Sequence, residues 1–328
     1  MSGHRLRVGF QVWSEFIGWS ELMAAGRDID ARGFDELWSN DHLFPVAPGG
    51  PVVVGDLDGP VWEGWSVLFG WAAITSRARM GTLVSSASYR NPGILVKMAT
   101  ALDHVTGGRA VLGLGAGWFE REHRAFGFAF PALGARIARF AEAATVCRRL
   151  LDGETVTTSG EWFVMDGARN DPPPLQERLP LAIGGSGEKR TLRIVGEVAD
   201  IWNGDGDDPD GFRRRNAILD DHAIAVGRDP GVIERTVGLP PPCIRGSRDE
   251  AVEALAAILE RHSESRAAAQ RAAATSPFAD TATTVSALLR AYRAAGASAV
   301  IFDWPGPPDQ ATLDALAGPI RADLDAAG

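Results

Sequence analysis

Residues 80–118 read MGTLVSSASYRNPGILVKMATALDHVTGGRAVLGLGAGW. An apolar run of strand length, Met80–Ser85, is followed by a helical pattern over Pro92–Val105 and by a second apolar run, Ala110–Gly115. Two strands joined by a helix lie parallel in one sheet, so this stretch is one βαβ unit. Outward from it the same alternation fills the chain. Runs at Arg5–Val12, Asp35–Ser39, Leu181–Gly184, Asp200–Asn203, Ile233–Leu239 and Ala299–Phe302 bring the strands to eight, with helical patterns such as Ser20–Arg32, Ala135–Leu151 and Glu188–Glu197 between them. Eight repeats favour closure into a (β/α)8 TIM barrel over an open doubly wound sheet. With 328 residues and 45% hydrophobic content the chain can bury one large core, so an α/β fold with a single domain over 1–328 is expected.

Three stretches depart from the bare barrel. Leu43–Glu63, rich in Pro, Gly and Val, is too long for a simple βα connection and falls on the functional face, where it reads as a lid or pocket wall. TVTTSGEWFVMD, residues 155–166, alternates around Ser159 and Gly160 and predicts a hairpin inserted before strand five, with Pro172, Pro173 and Pro174 stiffening the return. Arg248–Tyr292 is Ala-rich and broken near Ser276 and Pro277, so two or more helices should follow strand seven.

The net charge of -9 argues against nucleic acid and anionic membrane surfaces as partners, since either needs a basic field. Two cysteines, Cys147 and Cys243, stand far apart without a partner motif, which argues against a disulfide framework or a zinc site and fits a reducing compartment. The N-terminal MSGHRLRVGFQVW lacks the order of a signal peptide, and no apolar stretch approaches a membrane span, so the cytoplasm is the expected location.

In a barrel the chemistry sits at the C-terminal ends of the strands. Trp13, Trp38, Trp118, Trp202 and Trp304 all fall at or just past such ends, and a tryptophan rim would suit a flat conjugated cofactor or an aromatic substrate as a substrate pocket. Asp41 and His42 close strand two, where an imidazole beside a carboxylate offers proton exchange near neutral pH. Glu120 and His123 are spaced i,i+3 on a helix, but no second pair completes a metal site, so no metal is expected. AVLGLGAGW brings Gly113, Gly115 and Gly117 through the end of strand four, yet Trp118 takes the last place of a G-x-G-x-x-G frame and the dinucleotide fingerprint fails. GGSG, Gly184–Gly187, follows strand five and leads with Glu188 and Lys189 into a helix, where backbone N–H groups would receive a phosphate.

FDELWSNDH (34–42), RMGTLVSSASYRNPGILVKMATALDHVTGGRAVLGLGAGWFEREHRAFG (79–127) and LPLAIGGSGEKRTLRIVGEVADIWN (179–203) resemble the luciferase-like oxidoreductases, in particular the branch that uses the 5-deazaflavin coenzyme F420. The similarity runs through roughly the first two thirds of the chain and returns weakly in GASAVIFDWPG (296–306). The resemblance implies a deazaflavin over the strand ends and a hydride passing between its carbon 5 and an organic substrate. By position it implies that Asp41 contacts the ring system and that His42 is the catalytic, proton-handling histidine. It further implies cofactor binding by Ser86, Ala116, Gly117, Arg121, Gly184, Gly185, Gly187 and Glu188, and a bulge with a non-prolyl cis peptide at Leu83 and Val84 behind the ring. Arg121 with GGSG is the expected seat of the phosphate-bearing tail.

Sugar-phosphate dehydrogenases of this branch carry a glutamate just after the strand-four glycines, where this chain has Trp118. They also carry a lysine after strand six, where this chain runs NGDGDD. An F420-dependent oxidoreductase of EC class 1, acting on a small apolar or aromatic substrate, is therefore expected ahead of a sugar-phosphate enzyme. An FMN-dependent luciferase-like monooxygenase and a non-catalytic cofactor-binding protein are the alternatives. The resemblance also implies a homodimer.

Overall fold

A computed structural model describes residues 5–46, 58–206, 208–263 and 265–326. Most of the stretch expected to form a lid, residues 47–57, lies outside the described residues.

The eight expected strands are present as β1 (Arg7–Val12), β2 (Glu36–Ser39), β3 (Arg79–Thr82), β4 (Ala110–Gly115), β5 (Leu181–Gly184), β6 (Ile201–Asp205), β7 (Glu234–Leu239) and β8 (Ala299–Trp304). Each pairs in parallel with its neighbours, and β3 meets β4 through Met80↔Ala110 and Gly81↔Val111, which closes the barrel. The helices that surround it are α1 (Trp19–Ala31), α2 (Gly64–Ala72), α3 (Pro92–Thr106), α4 (Glu120–Ala125), α5 (Leu133–Leu151), α6 (Thr191–Val198), α7 (Pro209–Ala225), α8 (Arg248–Leu259), α9 (Arg266–Thr275), α10 (Ala282–Ala294) and α11 (Gln310–Ala315). Their limits follow local chemistry. The Asn91 side chain caps α3 by accepting the Gly93 N–H at 2.8 Å, Pro92 takes the first turn where a missing N–H is tolerated, and Gly107 ends the helix at φ 68°.

The insertions appear where the sequence predicts them. Val156–Ser159 and Val164–Ala168 form the antiparallel hairpin, tied to α5 by Glu142, which accepts the N–H groups of Trp162 and Phe163 at 3.1 and 2.8 Å. Helices α8 and α9 follow β7 and pack into a small core of their own with Cys243 and Ala279.

Side chains along each strand alternate between the barrel interior and the helix layer. Phe10, Leu37, Leu112 and Phe302 face outward into the main core, while Trp38, Val111, Ala182, Ile201, Ala299 and Ile301 fill the interior as a separate cluster. Below that cluster the N-terminal mouth is closed by charge. Glu36, fully buried, meets Arg7 Nε at 3.0 Å and Arg79 Nη2 at 2.6 Å, and Glu234 pairs with the same two arginines.

Strand three departs from its expected run. It pairs with β4 only to Gly81, bulges at Leu83–Val84, where the peptide bond is cis, and resumes with Ser85↔Leu114 and Ser86↔Gly115. Gln11, pointing inward from β1, donates its Nε2–H to the displaced Leu83 carbonyl at 2.6 Å.

A Cβ at Gly113 would stand 1.8 Å from the Thr82 carbonyl oxygen, and backbone cannot yield there without unpairing β3 from β4. Gly113→Ala should therefore cost about 1–3 kcal/mol or more, as overpacking does. The check is the urea midpoint, which should fall; an unchanged midpoint would contradict this approach of the two strands.

Candidate active site

A cavity of about 380 Å³ opens at the C-terminal ends of the strands. Its floor is the Leu83–Val84 bulge, and its walls come from the ends of β2 and β4 to β6, with α4 and α5 beside them. Asp41, His42, Leu83, Val84, Ser86, Ala116, Gly117, Trp118, Gly184 and Gly185 all line it, so the structure brings most of the residues singled out in the sequence into one place.

The tryptophan rim is corrected. Of the five, Trp118 alone borders the cavity and is 38% exposed. Trp202 lies between the inward Ile201 and Asn203, so strand alternation turns it to the helix layer, where it stacks on Phe212 at 5.2 Å. Trp304 faces outward for the same reason and packs edge-on against Phe10. Trp38 does point inward, but below the cavity, with its Nε1–H on Glu36 at 2.9 Å. Trp13, just past β1, is buried against His262.

The expected tail site also changes. Arg121 pairs with Asp58 and lies over the Phe44 ring, Glu188 pairs with Arg214 at 2.6 Å, and neither borders the cavity. Gly187 packs against Thr191, and α6 starts at Thr191 after a turn rather than at Glu188. The Gly185 N–H is already given to the Asn203 carbonyl at 3.1 Å. In their place Arg136, from α5, reaches the cavity; it lies over the Phe130 ring and donates from Nη1 to the Pro131 carbonyl at 2.9 Å, and its buried Nε has no partner among the described residues.

Asp41 is held rather than free. Arg90 grips its carboxylate with two nitrogens, at 2.5 and 3.0 Å, and also reaches Glu63 at 2.5 Å. Glu63 in turn caps α2, accepting the N–H groups of Trp65 and Ser66. Burial favours a neutral Glu63, but the Ser66 bonds and Arg90 outweigh it and hold the carboxyl below its usual range.

His42 has a partner that sequence reading missed. Its Nδ1 lies 3.0 Å from Glu122 Oε1, and Glu122 also accepts the Leu43 N–H at 2.8 Å and the Tyr89 hydroxyl. A carboxylate only accepts, so Nδ1 carries the proton and Nε2 is the nitrogen left for exchange. Burial disfavours the imidazolium, yet the bond to Glu122 and the charge of that carboxylate, the largest opposing causes, raise the His42 pKa above the ordinary value. Glu122, 1% exposed, is held below the usual carboxylate range: burial pushes it up, and His42, Leu43 and Tyr89 more than offset this. The signal for Glu122 was present in EREH, but only the i,i+3 spacing of its neighbours was weighed there.

Two further acids stand near strand ends. Burial pushes Glu15 up to about 8 and Asp303 to about 7. Asn40 donates to Glu15 at 2.9 Å. Burial lowers His262, 3.9 Å from Glu15, to about 4. Among the described residues no group of three His, Cys, Asp or Glu side chains is placed to hold a metal ion, and no helix is long and apolar enough to cross a membrane.

A closed parallel barrel with a bulged third strand under a strand-end cavity defines the class: the chain belongs to the luciferase-like monooxygenase family, whose sequence profile matches residues 4–310. It is 32% identical over 227 residues to the F420-dependent glucose-6-phosphate dehydrogenase of Microbacterium testaceum, covering 68% of this chain and 64% of that protein. It is 30% identical over 247 residues to the phthiodiolone/phenolphthiodiolone dimycocerosates ketoreductase of Mycobacterium tuberculosis, covering 69% and 62%. The match thus spans somewhat under two thirds of the length of these relatives. Among solved structures, an F420-dependent secondary alcohol dehydrogenase in complex with an F420-acetone adduct superposes with a TM-score of 0.78 at 20% identity, covering 95% of this chain and 97% of that one. The coenzyme F420-dependent tetrahydromethanopterin reductase of Methanopyrus kandleri gives 0.77 at 18%, covering 96% and 98%.

Glu122→Gln should remove the charge that favours the imidazolium, and the His42 pKa should fall. In the native protein the raised His42 pKa adds stability below the ordinary histidine value that is lost as pH rises through the folded one. The depressed Glu122 adds stability above the ordinary carboxylate value that is lost as pH falls through its folded one. An NMR titration of His42 Cε1–H in both proteins decides it: identical midpoints would rule out the contact.

Proposed function

We propose that this protein is an F420-dependent oxidoreductase that moves a hydride between the deazaflavin and a carbonyl or hydroxyl carbon of a small organic substrate. The observation that carries the reading is the His42–Glu122 pair on the rim of a cavity floored by the Leu83–Val84 bulge. The F420-dependent relatives support the choice of cofactor.

The residues present fit such a group. Leu83 and Val84 provide a surface for a flat ring, and Gly115 and Gly184, whose Cβ atoms would strike Val84, keep the space above it open. Arg136, with its unpartnered Nε, and Thr191 would hold an anionic tail, which replaces the expected role of Arg121, Gly187 and Glu188. Asp41, fixed by Arg90, would accept from the ring edge.

When bound, the cofactor supplies the hydride chemistry at its carbon 5. The chain supplies position and a proton. A carbonyl oxygen that becomes an alkoxide needs a proton, and an alcohol being oxidised must lose one, so His42 Nε2 gives or takes it while Glu122 keeps Nδ1 protonated and steadies the imidazolium. Trp118, 5.3 Å from the His42 ring and stacked on Phe119, shields this exchange from water on one side. The apolar or aromatic substrate expected from five tryptophans now rests on Trp118 and Leu133. Asp205 on the wall continues to disfavour a phosphorylated sugar.

Purified protein titrated with F420 should show quenching of Trp118 with a dissociation constant in the low-micromolar range, and FMN should bind at least about tenfold more weakly, a difference of about 1.4 kcal/mol. Full occupancy by copurified FMN with substrate-dependent oxygen uptake would establish the monooxygenase reading instead. His42→Ala should lower turnover by about 10²–10⁴-fold with little change in cofactor affinity. Arg136→Ala should weaken F420 binding and reduce its salt dependence, and Arg121→Ala should do neither; the reverse pattern would return the tail to Arg121.

A further inference from the structure

Ser86 on the cavity wall is the outer end of a buried chain that the proton exchange at His42 does not use. Its Oγ lies 2.6 Å from Ser88 Oγ, and Ser88 Oγ lies 2.6 Å from His123 Nε2. The other ring nitrogen, Nδ1, is 2.7 Å from the Phe119 carbonyl oxygen. His123 is fully buried, and Ser86 and Ser88 are 6% and 9% exposed.

The chain has a direction. A carbonyl oxygen only accepts, so His123 Nδ1 carries a hydrogen. The ring is enclosed by Phe130, Tyr89 and Phe128 at 4.8, 5.0 and 6.3 Å, and the neighbouring Glu122 carboxylate is occupied by His42, Leu43 and Tyr89. The guanidinium of Arg139 reaches the Ser88 carbonyl. In the Nδ1–H tautomer Nε2 is bare and accepts the Ser88 hydroxyl hydrogen. Ser88 has no second hydroxyl hydrogen, so Ser86 must donate to Ser88. Ser86 Oγ also lies 3.3 Å from the Ser88 N–H and accepts from it, which leaves a single lone pair for the cavity.

We propose that Ser86 meets the ligand of this cavity solely as a hydrogen-bond acceptor, with Ser88 and His123 as the positioning residues that hold its hydrogen away. Its partner is a ligand N–H or O–H, such as a ring imide or a side-chain hydroxyl, and not a phosphate or carbonyl oxygen. Gly117, at φ 74°, completes the device, since a Cβ there would stand 2.3 Å from Ser86 Oγ and 3.3 Å from His123 Nε2. The inference rests on the reading of the cavity as a deazaflavin site.

Two measurements test it. The ring-nitrogen NMR spectrum of ¹⁵N-labelled protein should show His123 as the Nδ1–H tautomer; hydrogen on Nε2 would overturn the direction of the chain. Binding of F420 is then measured for Ser86→Ala, Ser88→Ala and the double variant. Each single change should weaken binding roughly three- to tenfold, the range of one hydrogen bond, and the double variant should be no weaker than Ser86→Ala alone. Additive losses, or an unaffected Ser88→Ala, would overturn the proposal. Should Ser88→Ala not fold, Ser88→Cys carries the same cycle. Failure of the unsubstituted protein to bind F420 would instead overturn the cofactor reading, with the NMR spectrum still deciding the direction.

Discussion

The closure of β3 on β4 governs everything above it. Two residue pairs join these strands before the chain must bulge, because Gly113 brings backbone against the Thr82 carbonyl with no room for a side chain. Close approach of two backbones leaves the next carbonyl, that of Leu83, displaced, and an unpaired carbonyl in a barrel interior is costly. Gln11 satisfies it from β1, two strands away. The bulge then supplies the cavity floor, and Ser85–Ser86 resume pairing at the height where Ser86 faces the cavity. A packing limit low in the barrel thus sets the shape of the cavity.

Charge around the cavity is arranged in coupled pairs. Asp41 is balanced by Arg90, Glu122 is hydrogen-bonded to His42, and Glu63 is balanced by Arg90 again. Burial pushes the carboxyl of Glu15, which accepts from Asn40, up to about 8. Burial of ionised groups is tolerated where a partner and several hydrogen bonds are both present. The short helix α4 serves two sides at once: Glu122 faces His42, and the next residue, His123, faces Ser88.

Much of this was legible in the sequence, for reasons that differ by residue. Strand runs are short and bounded, so the eight strands and the hairpin could be placed to within a few residues, and Asp41 and His42 follow directly from where β2 stops. The tryptophans misled because position near a strand end was weighed without the two-residue alternation, which sends Trp202 and Trp304 outward and leaves Asn203 and Asp205 on the wall. Gln11 was available by the same parity. Arg136 was not, since it arrives from α5, some fifty residues before the glycine turn it adjoins in space, and such pairings depend on tertiary packing. Glu122 shows a third kind of gap: a carboxylate in a charged run looks solvated until the fold buries it.

The ionic floor of Arg7, Glu36, Arg79 and Glu234 has a kinetic meaning. With that floor below and Trp38, Ile201 and Ile301 packed above it, side chains among the described residues fill the barrel axis beneath the cavity. A ligand of the cavity would then enter and leave at the C-terminal ends of the strands. A molecule lying deepest, against the bulge, would be covered by one that followed it. Release would then run in the reverse order of entry.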